Sequence, residues 1–200
     1  MCTGFIRRFV FNLPLDKIFT TRDCLKFGLR KAVDVALRRL VEDGIIIRLA
    51  RGVFIREGSD LQAVGAWDVA RAKATSFGKE ITRHGARLAN ELGLKRASYS
   101  SVQYYVSGGH SSSFRFIDKG IVIYLKGVSA RRMKIADSKA GKAIKALWHL
   151  GRKRFTPQLL QKAKAGLRRT DQDELRECIR WMPAWLADRI VTRHIPWGAI

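Results

Sequence analysis

One stretch constrains this chain more than any other: residues 19–57, FTTRDCLKFGLRKAVDVALRRLVEDGIIIRLARGVFIRE. Thr20 or Thr21 can cap a short helix that ends near Phe27, and Gly28 supplies a tight turn. The spacing then predicts a longer helix over 29–42. Its apolar residues Val33, Ala36, Leu37, Leu40 and Val41 repeat at i, i+3, i+4, i+7 and i+8, which makes one buried stripe. Lys31, Val35, Arg38 and Arg39 fall on the opposite side, and Arg30 stands at the open N-terminal end. Gly44 stops the helix. Residues 45–49 and 52–56 then read as a β-hairpin turning at Ala50-Arg51-Gly52, with Arg48 and Arg56 beside the turn. Helix, turn, helix and basic hairpin in that order is the layout of a winged helix-turn-helix. An ordinary α+β packing unit shares the outline, but here all the parts fall in one short segment of a chain that is basic throughout.

Lysine and arginine number 39 against 17 acidic residues, a net charge of +22. Charge of that size raises self-repulsion unless a polyanion offsets it. The excess is not a tail. Over residues 1–60, 61–136 and 137–200 the basic and acidic counts are 12 and 7, 13 and 4, and 14 and 6, or +5, +9 and +8. DNA, RNA or an acidic protein are the partners such a balance selects. Cys2, Cys24 and Cys178 are odd in number and far apart, which points to a reducing compartment rather than a disulfide framework. The four histidines show no metal-ligand spacing with one another or with the cysteines. No apolar run reaches the ~18–20 residues of a membrane span. Arg7-Arg8 with the run after it is too short for an export signal, so residues 4–12 are expected as a first helix, and the protein in the cytoplasm.

Beyond a polar break at 57–60, residues 61–77 look helical, with Val64, Trp67, Ala70 and Ala74 on one side and Arg71 and Lys73 off it. A short strand near 80–82 and a helix over 85–92 come next, with Gly93 at its left-handed end. Strand-like runs follow at 102–106, 113–117 and 121–125, the last two joined by Asp118-Lys119-Gly120. The glycine- and serine-rich stretch 108–113 lacks a GK[ST] ending and reads as a connector. From Ser138 the pattern is helical. Ala140, Ile144, Leu147 and Trp148 are expected inward, and Lys139, Lys142 and Lys145 outward. Thr156-Pro157 starts another helix, Thr170 caps the next, and Pro183 breaks it. Trp148, Trp181 and Trp185 are expected in a shared core, with stacking on nucleobases as the alternative. The expected fold is thus α+β, divided into a winged helix-turn-helix (1–57), a small basic α/β domain (61–136) and a basic helical C-terminal segment (137–200).

The order of these blocks resembles the AbiEi-type antitoxins and related transcriptional regulators of bacterial type IV toxin–antitoxin systems. FTTRDCLKFG with AVDVALRRLVEDGIIIRLARGVF is similar to that family's N-terminal winged helix, up to Gly52-Val53-Phe54. GARLANELGL, residues 85–94, is similar to its glycine, alanine-asparagine, leucine-glycine-leucine block, and KAGKAIKAL, residues 139–147, to its next helix. The resemblance runs over about 16–150 and departs from the pattern after Leu94, at Lys95-Arg96-Ala97-Ser98. It implies a DNA-binding protein that represses its own operon and counteracts a co-encoded nucleotidyltransferase-like toxin without needing to touch it. That last role rests on the family alone.

No Gly-x-Ser-x-Gly elbow, His-Glu-x-x-His motif or Walker A loop is present, and the expectation is a binding protein, not an enzyme, with no cofactor and no metal. Arg30, Lys31, Val35 and Arg38 are the base-edge candidates, as outward residues on the first turns of the second helix. Lys26, Arg39, Arg48, Arg51 and Arg56 are the phosphate candidates. Asp34 stands at the edge of the stripe, placed to orient Arg30 or Arg38. The expected partner is double-stranded operator DNA, as an inverted repeat read by a dimer or by two monomers, with no membrane partner. The alternative is an antitoxin or adaptor that binds a partner protein or RNA through the basic C-terminal part.

Overall fold

Strand β3, Val53–Arg56, is buried on both faces, and this organises the first half of the molecule. In a strand, neighbouring side chains point to opposite sides. Phe54 points into one core and Val53 and Ile55 into another. In a computed structural model, which describes residues 2–95 and 101–191, the fold is mixed α+β and divides into two compact units. Arg96, Ala97 and Ser98 of the divergent stretch lie outside the described residues.

The first unit comprises Met1–Ile81, Ser101–Val106 and His110–Lys126. It opens with α1 (Cys2–Asn12), β1 (Phe19–Thr20), a 3-10 helix (Thr21–Phe27) and α2 (Arg30–Glu42). β2 (Ile46–Ala50) and β3 follow as a hairpin, and the sheet order is β1-β3-β2. The 3-10 helix stands where the sequence predicts a short helix. Its entry is fixed by the Asp23 carboxylate, which accepts both the Thr20 N–H (2.7 Å) and the Thr20 hydroxyl (2.8 Å). Ile6, Val10, Phe19, Cys24, Val33, Leu37 and Leu40 close over Phe54 in the first core. Burial pushes the Cys24 thiol up to about 12, so it is an inert packing group.

The other face of the hairpin is covered too. Leu49, Val53 and Ile55 pack with Val69, Ala70 and Ala74 of α3 (Ala66–Ser76) and with Tyr104, Phe114, Phe116 and Ile123. These last four come from β5 (Val102–Ser107), β6 (Ser112–Phe116) and β7 (Ile121–Val128), adjacent in the order β5-β7-β6. The Ile117 N–H donates to the Leu49 carbonyl at 2.8 Å, tying the end of β6 to β2. α3 begins later than the predicted 61, because Asp60 turns the chain by accepting the Gln62 and Ala63 N–H groups. The expected middle segment 61–136 contributes to both units.

The second unit comprises Thr82–Ser100, Ser107–Gly109 and Gly127–Ile200. It takes in Thr82 and Arg83 of the short strand β4 (Ile81–Arg83) and contains α4 (Gly85–Glu91), α5 (Ala130–Met133), α6 (Lys139–Leu150), α7 (Pro157–Lys164), α8 (Arg169–Glu177) and α9 (Ala184–Val191). Its core gathers Leu88, Ala89, Ile144, Leu147, Leu160, Leu175 and Leu186, with the half-buried Trp148, Trp181 and Trp185 packed against it. α4 and α6 cross closely because Gly85 has no side chain. A Cβ there would run into the Lys145 carbonyl oxygen and lie 2.6 Å from the His149 Cβ. α8 starts before the predicted cap: the Asp171 carboxylate accepts the Arg168 N–H at 2.8 Å, so Thr170 lies inside the helix. Among the described residues no helix is long and apolar enough to cross a membrane.

Lys145, expected outward, is fully buried. α6 is covered on nearly every side, so the spacing that set Lys139 and Lys142 outside does not hold for it. Its Nζ donates to Asp137 Oδ1 (2.5 Å) and Thr82 Oγ1 (2.6 Å), and the Thr82 hydroxyl donates to the same Asp137 oxygen (2.7 Å). Burial pushes the Lys145 ammonium below its usual range. Burial alone would raise the Asp137 carboxyl, but the hydrogen bonds from Lys145 and Thr82 and the charges of Lys145 and Arg83 hold it below the usual value.

Two outcomes are expected in denaturant unfolding. Gly85→Ala should lower stability by about 1–3 kcal/mol, as overpacking against backbone does. Asp137→Asn should cost about 1–3 kcal/mol near neutral pH, less than for a fully enclosed pair because Asp137 is partly open to solvent. Since the folded Asp137 pKa is depressed, its contribution is present above about pH 3.8, its unperturbed value, and is lost as pH falls through the folded value. The gap between wild type and Asp137→Asn should therefore close in acid; a gap constant from pH 3 to 7 would exclude this role.

Candidate nucleic-acid interface

α2 presents a sharply divided surface. Val33, Ala36, Leu37 and Leu40 are buried, while Arg30, Lys31, Asp34, Val35, Arg38 and Arg39 are exposed. At about 100° per residue, Arg30, Asp34, Arg38, Lys31 and Val35 share one arc and Arg39 closes its far edge. Leu29, the residue before the first turn, is 84% exposed, an apolar side chain left in water beside these cations. Arg30 Nε lies 2.8 Å from Asp34 Oδ2, and Arg38 Nε lies 3.7 Å from Glu42 Oε1. Both are exposed i,i+4 pairs, worth a few tenths of a kcal/mol, so neither guanidinium is strongly held back from another anion.

The hairpin is not a free ribbon. Both its faces are covered, and its turn is tied down: the Thr21 N–H donates to the Gly52 carbonyl (3.1 Å), and Lys73 Nζ to the Arg51 carbonyl (2.5 Å). Gly52 sits at φ +74°, and a Cβ there would meet Thr21 Oγ1 at 3.2 Å. Conformation and space both call for glycine at this turn.

What remains open at the turn is a concavity of about 450 Å³ between the 3-10 helix, α2, the hairpin and the end of α3. Arg22, Arg30, Arg48, Arg51 and Lys73 line it, with Asp34 the one carboxylate among its lining residues. Arg48 lies over the Phe54 ring at 5.5 Å, Lys73 over Phe114 at 5.2 Å, and Arg22 over Phe77 at 4.4 Å. The flat contacts place these cations with little opposing charge. Burial, and then the neighbouring Arg51 charge, push the half-buried Lys73 ammonium below its usual range.

The structure thus brings Arg30, Arg48 and Arg51 together and sets Lys31, Val35, Arg38 and Arg39 along the exposed face of α2. It takes Lys26 and Arg56 elsewhere. Lys26 lies over the rings of Phe9 (4.7 Å) and Phe27 (5.1 Å). Arg56, at the far end of β3 from the turn, donates to the Phe11 carbonyl (3.3 Å) and covers the Phe11 ring. Arg22 and Lys73 are additions the sequence did not single out. Lys73 was legible as off the apolar side of its helix, but nothing local says that α3 ends at the hairpin turn.

A larger concavity, about 820 Å³, also lies in the first unit and includes Asp16, Asp23, Asp60 and Asp68 in its lining. Each of these carboxylates accepts a backbone N–H: Asp16 from Asp60, Asp23 from Thr20, Asp60 from Gln62 and Ala63, and Asp68 from Gly65. Asp23, Asp60 and Asp68 work as turn and helix caps, and Asp16 ties two loops together. Among the described residues no group of three or more histidine, cysteine, aspartate or glutamate side chains converges as a metal site.

No curated protein matches the chain. A family model described as "Family of unknown function (DUF6088)" matches residues 6–175, and the chain belongs to that family.

Proposed function

We propose that the protein is a sequence-specific DNA-binding transcriptional regulator, an autorepressor of the AbiEi antitoxin type, and that its first unit works as a winged helix-turn-helix. The observation that carries this reading is the pairing of an exposed cationic face on α2 with the sheet order β1-β3-β2 behind it. A helix, a short helical turn, a second helix and a hairpin whose strand pairs back to β1 form a scaffold that projects α2 outward. A helix of this width fits the DNA major groove. In the proposal Arg30, Lys31, Val35 and Arg38 meet base edges, while Arg39, Arg48 and Arg51 meet phosphates. Arg56 is left out of the phosphate set, because it is engaged with Phe11. Neutralisation of a co-encoded toxin belongs to the proposal through the family resemblance described above.

A second reading is favoured by the 3-10 helix Arg152–Arg154, three consecutive exposed cations in the second unit. Such a knot suits an RNA or an acidic partner protein.

Anisotropy with labelled upstream DNA and a scrambled competitor, at two salt concentrations, separates the two. Lys31→Ala and Arg38→Ala should each cost about 1–3 kcal/mol on the specific fragment and relax one position of the site. Arg39→Ala should weaken both DNAs alike and reduce the salt slope by about one contact. Arg56→Ala should leave both affinities within about twofold. Equal binding of specific and scrambled DNA by the wild type would end the sequence-specific reading. Loss of an RNA or protein partner on changing Arg152–Arg154, with DNA binding absent, would favour the second.

A further inference from the structure

We infer that the cationic concavity at the hairpin turn is a phosphate-binding pocket, with Lys73 of α3 as its anchor. Where DNA supplies the phosphates the pocket deepens the DNA-binding reading at Arg48 and Arg51 and rests on it; where a free ligand supplies them it goes beyond that reading, and its ligand chemistry can be tested without DNA.

Four separate elements deliver cations to this one depression: Arg22 from the 3-10 helix, Arg30 from α2, Arg48 and Arg51 from the hairpin, and Lys73 from α3. Asp34 is engaged by Arg30 at 2.8 Å, which leaves the other four charges without a carboxylate among the lining residues. The like charges of Arg51 and Lys73 oppose one another in a half-covered site, and an anion between them would offset that repulsion. Lys73 is also held in position. Its Nζ donates one hydrogen to the Arg51 carbonyl and sits over the Phe114 ring. An ammonium carries three N–H donors, so two remain for phosphate oxygens. Arginines at the rim add planar, charge-assisted donors of the kind that bind phosphate side-on.

The volume, about 450 Å³, exceeds a single phosphate and lies in the range of small-ligand sites. The ligand chemistry is therefore a phosphate ester or anhydride with more than one charge. Two sources provide it: successive phosphates of a DNA backbone, or the polyphosphate end of a small molecule.

The test is calorimetric titration of the protein with pyrophosphate, using wild type, Lys73→Met, Lys73→Arg and Arg169→Ala. Arg169→Ala removes one exposed charge from the second unit and controls for net charge; thermal unfolding checks each variant's fold. Expected is saturable 1:1 binding, weakened about tenfold or more by Lys73→Met, largely restored in Lys73→Arg, and within about twofold of wild type in Arg169→Ala. The salt slope on DNA is measured in parallel. If Lys73→Met also flattens that slope by about one contact and pyrophosphate displaces the DNA, the source is the DNA backbone. If the slope is unchanged and pyrophosphate binds alongside DNA, the source is a free phosphorylated ligand. A slope that depends on Lys73 without pyrophosphate binding also supports the pocket, with DNA as the source. The inference is overturned if pyrophosphate binding is absent or equal in all four proteins and the salt slope does not depend on Lys73. A wild type blind to DNA sequence would sink the repressor reading and leave the pyrophosphate result standing.

Discussion

The first unit depends on a strand that serves two cores at once. Phe54 packs with Phe19 and the helices α1 and α2, while its neighbours Val53 and Ile55 pack with α3 and the strands β5 to β7. Each buried aliphatic or aromatic side chain of this size contributes about 1.5–3 kcal/mol relative to exposure. A one-residue slip of β3 would move Phe54 into the space of a valine and the reverse, damaging both cores together. Register is thus specified twice. The position of Arg51, and with it the shape of the cationic concavity, follows from that register.

Much of this was legible because the elements announce themselves. The 3.6-residue stripe of α2, the Gly52 turn, the Thr156-Pro157 start and the paired runs around Asp118-Lys119-Gly120 all depend on short-range chemistry. Most departures from the sequence reading depend on a neighbour distant in sequence, and one, at Thr170, on an adjacent residue. Val53-Phe54-Ile55 is an apolar run with no polar face, and that alone is compatible with double burial; its partners come from residues up to about seventy positions away. Lys145 has the spacing of a surface lysine, but Asp137 and Thr82 give it a buried site. Arg56, a phosphate candidate by its sequence position, donates to the Phe11 carbonyl, a partner that no local pattern indicates. Thr170 is a good cap residue, displaced by an Asp171 that reaches back one turn.

The candidate site was half readable for the same reason. The α2 face needs only periodicity, so Arg30, Lys31, Val35 and Arg38 could be named in advance, and all four are exposed. The concavity needs the approach of α3 to the hairpin, which no local pattern encodes. Lys73 is its least predictable member. It is also half-covered and beside a like charge, which holds its ammonium below the usual range.

The double burial of β3 bears on how such a protein can change over evolutionary time. A segment that stops at Arg56 would leave Leu49, Val53 and Ile55 as an uncovered apolar sheet face, the kind of surface that drives association between chains. The helix-and-hairpin part therefore cannot be exchanged as a cassette between unrelated proteins, as a self-contained recognition module can. It travels with α3 and β5 to β7 or not at all, so the exposed arc of α2 can vary by substitution but not by shuffling of the segment as a whole.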